Sequence, residues 1–318
     1  MMKLNTYRLI SLLLLLILAT GCSSQPSDAA IPIRIAVLPI LDNLPFYVAQ
    51  EAGYFADQNL NVTFIPVGSA PERDQILSAG QADATVNELL SAMFFNQNEL
   101  SVQVVRFARA ASSEGPVFSI LVAADSGIEQ LEQLKNVPIG ISQGTVIEYL
   151  TDRLLQAEGF QSDEIAGVAV PAIGQRMDLL ASGQLQAAML PEPLTSLAVQ
   201  NGARVILDDS SHPEYSHSVI TMRLDFIEEH PEAVATFLAA VEQAVTTINE
   251  NPEQWQDLLV EKELVPPPVL ASYQLPHYPT AGVPSQAQWD DVIAWAIGKG
   301  LLTGQVSYQE TVTAEYLP

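Results

Sequence analysis

The sequence predicts an α/β protein with two related lobes, each a sheet flanked by helices, and a ligand-binding cleft between them. Short segments rich in β-branched residues alternate with segments of helical spacing, as in a parallel sheet covered by helices. The same pattern starts again near Phe118. The length of 318 residues also matches two domains at roughly 150 residues each.

Residues 1–21 are predicted to be a signal peptide. Lys3 and Arg8 precede a short apolar block, Leu9 to Ala19. This block is shorter than the roughly 20 apolar residues that a membrane-spanning helix needs. Its removal would take away two basic residues and no acidic ones, so the mature chain would be more acidic still.

Cys22, the only cysteine, directly follows this segment. The segment resembles the lipobox of bacterial lipoproteins, although Ala19 stands where that motif usually has leucine. The resemblance implies cleavage before Cys22, lipid attachment to Cys22 and membrane anchoring through a polar tether over residues 22–30. The alternative is an ordinary signal peptide with an incidental cysteine.

The next part of the chain predicts alternating strands and helices. Strands are expected over 31–38, 61–67 and 82–86, and helices over 46–56 and 69–79. Pro45 favours the start of the first helix, and Ser69 with Glu72 forms a capping-box pattern at the second. Connections of only a few residues between such elements indicate parallel strands with helices on the sheet faces.

The second half repeats this order. Strands are expected over 118–123, 137–141, 167–170 and 187–190, and helices over 145–158 and 175–182. Residues 72–84 match residues 175–187, so that Arg73 corresponds to Arg176 and Gly80 to Gly183. A repeat of this length indicates duplication of a domain rather than a solenoid. Chance similarity between two amphipathic helices is the alternative.

The last hundred residues predict helices over 223–249, 252–262 and 286–298, with no further alternation of strands and helices. Such a segment is expected to pack on an existing lobe. We therefore expect the first lobe to contain residues 31–117 and 219–318, and the second lobe residues 118–218. The chain then crosses twice between the lobes.

The composition disfavours several classes of function. The 37 acidic residues outnumber the 13 basic ones, giving a formal charge of −24, which is unsuited to binding nucleic acid or anionic lipid. One cysteine and four histidines argue against a disulfide framework and a metal centre. The sequence contains no glycine-rich phosphate loop or nucleophile-elbow motif. We therefore expect no cofactor, no metal and no enzymatic activity.

Three segments carry a family resemblance: 44–55, 125–140 and 191–203. They resemble substrate-binding proteins for nitrate, sulfonates, taurine and thiamine pyrimidine precursors. The resemblance implies the type II periplasmic-binding-protein-like fold and delivery of a small molecule to an ABC importer. The permease and ATPase subunits would be other chains. It also implies an extracytoplasmic location, and we expect a monomer.

The turns that follow the strands are expected to face the cleft and bind the ligand. Tyr47 could stack on a flat ligand, and the acids Glu88 and Glu192 could accept hydrogen bonds from amines. The residues before the 145–158 helix could hold an anion or merely cap the helix. The full set of candidates is Asn43, Tyr47, Gly68, Ser69, Asn87, Glu88, Ser142, Gln143, Gly144, Thr145 and Glu192.

The scarcity of basic residues guides the expected ligand. Only eight arginines and three lysines follow the signal peptide, and Arg109 is expected in a surface ion pair. No positively charged pocket is evident, so the sequence favours a heteroaromatic ligand such as a thiamine pyrimidine precursor. The alternatives are a receptor for sulfonate, nitrate or taurine, an enzyme resembling a thiamine pyrimidine synthase, and a ligand-sensing protein.

Overall fold

The computed structural model describes residues 29–113 and 115–318. The predicted signal peptide, Cys22 and most of the predicted tether lie outside the described residues. Residues 31–318 form a single unit. Over the described ranges, no helix combines the length and the apolar character needed to cross a membrane.

The first sheet combines four strands from residues 31–110 with one strand from residues 217–223. Its order is β2-β1-β3-β10-β4. β1 runs parallel to β2 and β3, whereas β10 lies antiparallel between β3 and β4. Its strands are β1 (Ile31–Val37), β2 (Leu60–Pro66), β3 (Ala84–Asn87), β4 (Val102–Ala110) and β10 (His217–Arg223).

The second sheet is made from one continuous stretch of chain. Its order is β7-β6-β8-β5-β9, with β6 parallel to β7 and β8, and β5 antiparallel to β8 and β9. Its strands are β5 (Phe118–Val122), β6 (Pro138–Ile141), β7 (Ala166–Ala169), β8 (Ala187–Pro191) and β9 (Arg204–Asp208). We call the parts of the protein around the two sheets the first and second lobes.

Helices cover both sheets. In chain order they are α1 (Leu44–Glu51), α2 (Tyr54–Asp57), α3 (Ala70–Ser78), α4 (Leu89–Asn96), α5 (Val146–Ala157), α6 (Ile173–Ala181), α7 (Leu194–Gln200), α8 (Leu224–Glu229), α9 (Pro231–Glu250), α10 (Gln256–Glu261), α11 (Pro267–Leu270), α12 (Gln286–Gly298) and α13 (Tyr308–Thr311). The 3₁₀ helices are Leu41–Asn43, Leu131–Leu134, Ser162–Glu164, Asp209–Ser211, Pro213–Tyr215 and Pro252–Trp255.

The C-terminal helices complete the first lobe. Phe237 of α9 stacks on Phe55 with ring centroids 5.4 Å apart, and it also contacts Phe46 of α1 at 5.7 Å. The predicted helix over 223–249 is interrupted at His230. Pro231 explains the interruption, because proline has no N–H to continue the preceding helix but suits the first turn of a new one.

Two segments, 111–117 and 209–216, connect the lobes. Asp209 holds them together, because its carboxylate accepts hydrogen bonds from the Val117 N–H at 2.9 Å, the Phe118 N–H at 3.0 Å and the Ser216 hydroxyl. Burial raises the pKa of Asp209 to about 6, although these hydrogen bonds favour the ionised form.

The lobes also touch through α5 and α12. The Trp295 indole N–H donates to Asp152 at 2.8 Å, and the Tyr149 hydroxyl donates to Asp291 at 2.7 Å. Lys299 Nζ also lies 2.7 Å from Asp152. Apolar packing accompanies these polar contacts, because the Tyr149 and Trp295 rings lie 5.5 Å apart within one buried cluster.

Candidate functional site

A cavity lies between the lobes, where strands of both sheets end. Residues after β1 and β3 line it from the first lobe, and residues after β6, β7 and β8 line it from the second. Ligands of open α/β sheets bind at such carboxyl ends. Its volume of about 60 Å³ holds only a few water molecules. A larger solute therefore requires the lobes to separate, as hinge motion allows.

The acid Glu88 is neutralised within the first lobe. The Arg73 guanidinium lies 3.2 Å from the Glu88 carboxylate and 2.7 Å from that of Asp74. The Ser91 hydroxyl lies 2.9 Å from Glu88 and donates to Asp74 at 2.7 Å. Arg73 is fully buried, and these acids raise its pKa against the opposing effect of burial. Glu88 is thus engaged by neighbours rather than free to accept from a ligand.

The second acid at the cavity, Asp42, is also engaged. It is buried, and its carboxylate accepts a hydrogen bond from the Ser218 hydroxyl at 2.5 Å. The Arg109 guanidinium lies 3.6 Å away. Arg109 is only 1% exposed, so the expected surface ion pair is wrong: strand β4 places this arginine inside the protein.

Arg176 brings a positive charge to the cavity without a matching acid. Its guanidinium donates to the backbone carbonyls of Met189 at 2.9 Å, Val170 at 2.7 Å and Pro171 at 3.3 Å. Among the described residues, no carboxylate forms an ion pair with it. Burial lowers the pKa of Arg176 to about 10, which leaves it charged at neutral pH.

Two further donors at the cavity have no hydrogen-bond partner in the described part of the chain. They are the Asn87 amide nitrogen in the first lobe and the Ser142 hydroxyl in the second. The Asn87 amide oxygen already accepts from the Thr221 hydroxyl at 2.5 Å. The cavity therefore has two unpartnered donors and the unpaired charge of Arg176, whereas its carboxylates are engaged by neighbours.

His217 lies at the same cavity as a neutral imidazole. It is buried next to Phe107, with ring centroids 5.6 Å apart, and its Nδ1 lies 3.5 Å from the Gln288 amide nitrogen. Burial lowers its pKa to about 4. It therefore adds no positive charge at neutral pH.

His217 and Asp209 are expected to change stability with pH in opposite directions. The folded state resists protonation of His217, so stability from this group falls as pH drops from about 6.5 to 4. The folded state favours protonation of Asp209, so stability from that group falls as pH rises from about 4 to 6. Each effect is about 3 kcal/mol, and the two nearly cancel in the wild type.

The variant His217→Gln separates these two effects. We expect the stability of the variant, relative to wild type at the same pH, to rise by up to about 3 kcal/mol between pH 6.5 and 4. Urea unfolding at several pH values measures this difference, and subtraction of the wild-type curve removes the contribution of the other carboxyls. If the plots of unfolding free energy against pH were parallel for the variant and wild type, His217 would not be held neutral by the fold.

The N-terminus of α5 is satisfied by its own side chains. The Thr145 hydroxyl accepts from the Ile147 N–H at 3.2 Å, and the Glu148 carboxylate accepts from the Gly144 N–H at 2.8 Å. Of the two interpretations of this segment, the geometry favours capping. An anion would have to displace Glu148 to reach the Gly144 N–H.

Four of the predicted ligand-binding residues line the cavity, whereas seven do not. Asn87, Glu88, Ser142 and Thr145 line it. Asn43, Tyr47, Gly68, Ser69, Gln143, Gly144 and Glu192 are not among its lining residues.

Each of these seven lies elsewhere for a local reason. The Asn43 amide turns back to the Leu38 carbonyl at 2.7 Å. The Tyr47 ring is buried against Phe64, 4.7 Å away, so it cannot stack on a ligand in the cavity.

The others belong to helix starts or to a different groove. Ser69 caps α3, where Glu72 accepts the Gly68 N–H at 2.8 Å. Gln143 is exposed beside Gly144 at the start of α5. Glu192 lines a separate groove, described below.

Sequence reasoning missed Arg73, Arg176, Asp42, His217 and Ser218 as cavity residues. A signal existed for the first two, because the internal repeat aligns them. The structure gives both the same position, on the helix that follows the edge strand β2 or β7 of its sheet, buried and facing the cavity. Asp42 lies in the 3₁₀ helix Leu41–Asn43, after the first strand, where the chain was expected to face the cleft. His217 and Ser218 lie in β10, a strand that the sequence pattern did not predict.

A family model described as NMT1/THI5 like matches residues 41–255. The chain belongs to this family. The match covers the second lobe, the first lobe without β1 and helices α10 to α13, and every polar residue that lines the cavity.

Three relatives illustrate the range of the family. A candidate aliphatic sulfonates-binding protein of Bacillus subtilis is 24% identical over 79% of this chain and 76% of its own length. The formylaminopyrimidine-binding protein of Halalkalibacterium halodurans is 20% identical over 92% of this chain and 93% of its own length. The 4-amino-5-hydroxymethyl-2-methylpyrimidine phosphate synthase of Aspergillus parasiticus is 23% identical over 65% of this chain and 63% of its own length.

Solved structures confirm the predicted fold. The alkanesulfonate-binding protein SsuA of Xanthomonas axonopodis pv. citri, bound to MOPS, superposes with a TM-score of 0.75 at 17% identity, covering 92% of this chain and 99% of that one. The chain therefore has the two-lobed periplasmic-binding-protein-like fold.

Proposed function

We propose that this protein is an extracytoplasmic solute receptor that delivers a small molecule to an ABC importer, whose permease and ATPase subunits are other chains. The fold, the cavity between the lobes and the binding proteins among its relatives support this function. A ligand that touches both lobes stabilises their closed arrangement, and the permease would recognise that arrangement.

The ligand that the geometry supports best is a small anion with oxygen acceptors, such as a sulfonate. The observation that carries this choice is the set of groups on both lobes that lack a matching partner: the Asn87 amide nitrogen from the first, and the Ser142 hydroxyl and the charge of Arg176 from the second. A protonated or amine-rich heteroaromatic would need acceptors. However, Glu88 is paired with Arg73, and Asp42 with Ser218 and Arg109.

This proposal reverses the order of the ligands that the sequence suggested. The overall charge of −24 does not describe the cavity, where Glu88 and Asp42 are paired and Arg176 has no matching acid in the described chain. A pyrimidine precursor remains the second candidate, since the relative from Halalkalibacterium halodurans is named for binding one.

Calorimetric titration of the purified protein tests the ligand class. We expect binding of methanesulfonate or another small alkanesulfonate, and no measurable binding of a 4-aminopyrimidine under the same conditions. The variant Ser142→Ala should weaken sulfonate binding about tenfold, because it loses one hydrogen bond in a closed site. Binding of the aminopyrimidine alone would refute the anion proposal.

We propose binding rather than catalysis. The imidazole at the cavity, His217, is buried and neutral, and it contacts Gln288 and Phe107 rather than a nucleophile. One relative is named a synthase, so the distinction needs a test. Recovery of the bound ligand chemically unchanged after prolonged incubation would support a receptor, and a new product would contradict it.

We propose that Cys22 anchors the protein to a membrane and that the folded part acts as a monomer. The lipobox resemblance supports the anchor. The mass of the mature protein, purified from membranes, should include a lipid on Cys22. A mass that matches the unmodified polypeptide would contradict the anchor.

A further inference from the structure

A second concave site lies beside the segments that connect the lobes. It has a volume of about 560 Å³, within the usual range of small-molecule pockets. Residues 269–277 of the first lobe form one wall, and Glu192 and Ser196 of the second lobe form another. It shares no lining residue with the cavity between the lobes. We call it the hinge groove.

The first functional group of the hinge groove is a buried cation. Arg109 is 1% exposed, and none of its three guanidinium nitrogens has a hydrogen-bond partner in the described structure. Asp42, 3.6 Å away, is its one ion-pair partner there. A buried guanidinium without hydrogen bonds is costly, since each unsatisfied donor carries a desolvation penalty.

The second group is a buried anion. Glu192 is 9% exposed, and its carboxylate accepts from the Ser196 hydroxyl at 2.8 Å and the Ser196 N–H at 3.4 Å. Neither contact brings a positive charge. Within residues 29–113 and 115–318, no basic side chain forms an ion pair with Glu192.

Arg109 and Glu192 are close enough to influence each other electrostatically, yet they do not pair. Two opposite charges therefore face one groove, and each lacks a full set of partners. A simple anion would be attracted by Arg109 but repelled by Glu192 and Asp42. A simple cation would be attracted by Glu192 and Asp42 but repelled by Arg109. A molecule with one charge of each sign satisfies both groups.

We propose that the hinge groove binds a small zwitterion, with its anionic end on Arg109 and its ammonium end on Glu192. Tyr273 lines the same groove as Arg109, on a stretch without helix or strand. Because Arg109 lies in β4 and Glu192 follows β8, the bound zwitterion bridges the lobes and favours their closed arrangement.

A series of ω-amino acids tests this site in the purified protein. The probes are glycine, β-alanine, 4-aminobutyrate and 5-aminopentanoate, with acetate and methylammonium as probes that carry a single charge. We expect one chain length to bind at least tenfold tighter than either single-charge probe. The variant Glu192→Gln should lose this preference, because the amide keeps the shape but not the charge.

Two controls separate the hinge groove from the cavity. Ser142→Ala lies in the cavity and should leave zwitterion binding unchanged. Arg109→Lys keeps the charge and should retain measurable but weaker binding, provided that its circular dichroism matches wild type. Equal binding of all probes, binding unaffected by Glu192→Gln, or binding lost in Ser142→Ala would overturn the proposal. None of these results depends on whether the cavity binds a sulfonate.

Discussion

Replacement of Arg176 with methionine is expected to weaken binding of the anionic ligand by about 10- to 100-fold. This range corresponds to about 1.5–3 kcal/mol for a hydrogen bond to a charged group. Methionine fills much of the space of the arginine stem but supplies neither charge nor donors. Calorimetric titration with an alkanesulfonate measures the change.

Arg204→Met is the matched control. Arg204 also lies in the second lobe, but its guanidinium donates to the Ile128 carbonyl of the same lobe and it does not line the cavity. Its replacement should leave affinity unchanged. Arg176→Lys keeps the charge without the planar fork and should recover part of the lost affinity. Equal affinities for wild type and Arg176→Met would remove the central argument for an anionic ligand.

Replacement of Arg73 with methionine is expected to lower the free energy of unfolding by about 3–5 kcal/mol, because it leaves a buried carboxylate without its counter-charge. Glu88 and Asp74 both pair with this guanidinium. A second change, Glu88→Gln, should restore much of the loss because it removes the unpaired charge. Urea or thermal unfolding of the two variants measures both effects.

An exposed ion pair serves as the comparison for Arg73. Lys135 lies 2.8 Å from Glu164 with both side chains open to solvent, so Lys135→Met should cost less than about 1 kcal/mol. If Arg73→Met were no more destabilising than Lys135→Met, the Arg73 cluster would not hold the first lobe together. No improvement on addition of Glu88→Gln would contradict the role of the unpaired charge.

Arg73 and Arg176 show how a duplicated position can acquire two roles. Both are buried on the helix that follows an edge strand, β2 or β7, and both face the cavity. Arg73 is surrounded by carboxylates, whereas Arg176 meets only backbone carbonyls. The first therefore stabilises the lobe. The second keeps charge available for a ligand.

The regular alternation in the sequence predicted the strands with simple buried patterns, including β1 and β6. It missed β4 and β10, which join the first sheet from distant parts of the chain. β4 contains Arg106 and Arg109, whose charges suggest an exposed surface rather than a buried strand. Their burial depends on acids far away in the chain: Glu242 for Arg106 and Asp42 for Arg109.

Prediction of the binding-site residues from the sequence failed for the same reason, because charge pairing depends on distant parts of the chain. Total charge and the count of basic residues describe the whole surface, whereas a cavity depends on which charges are already paired. Glu88 and Glu192 looked alike after their strands, but one is paired with Arg73 and the other lines the hinge groove without a basic partner in the described chain. Pairing is a property of tertiary structure, and local pattern does not encode it.

The position of β10 determines the order in which the lobes can be completed. It lies between β3 and β4, pairing Val219 with both Asn87 and Phe107, more than a hundred residues earlier. Until residues 217–223 have been synthesised, β3 and β4 have unpaired edges and the first sheet is divided. The second sheet needs only residues 118–208, with shorter loops to close. The lobe that begins the chain is therefore the last to be finished.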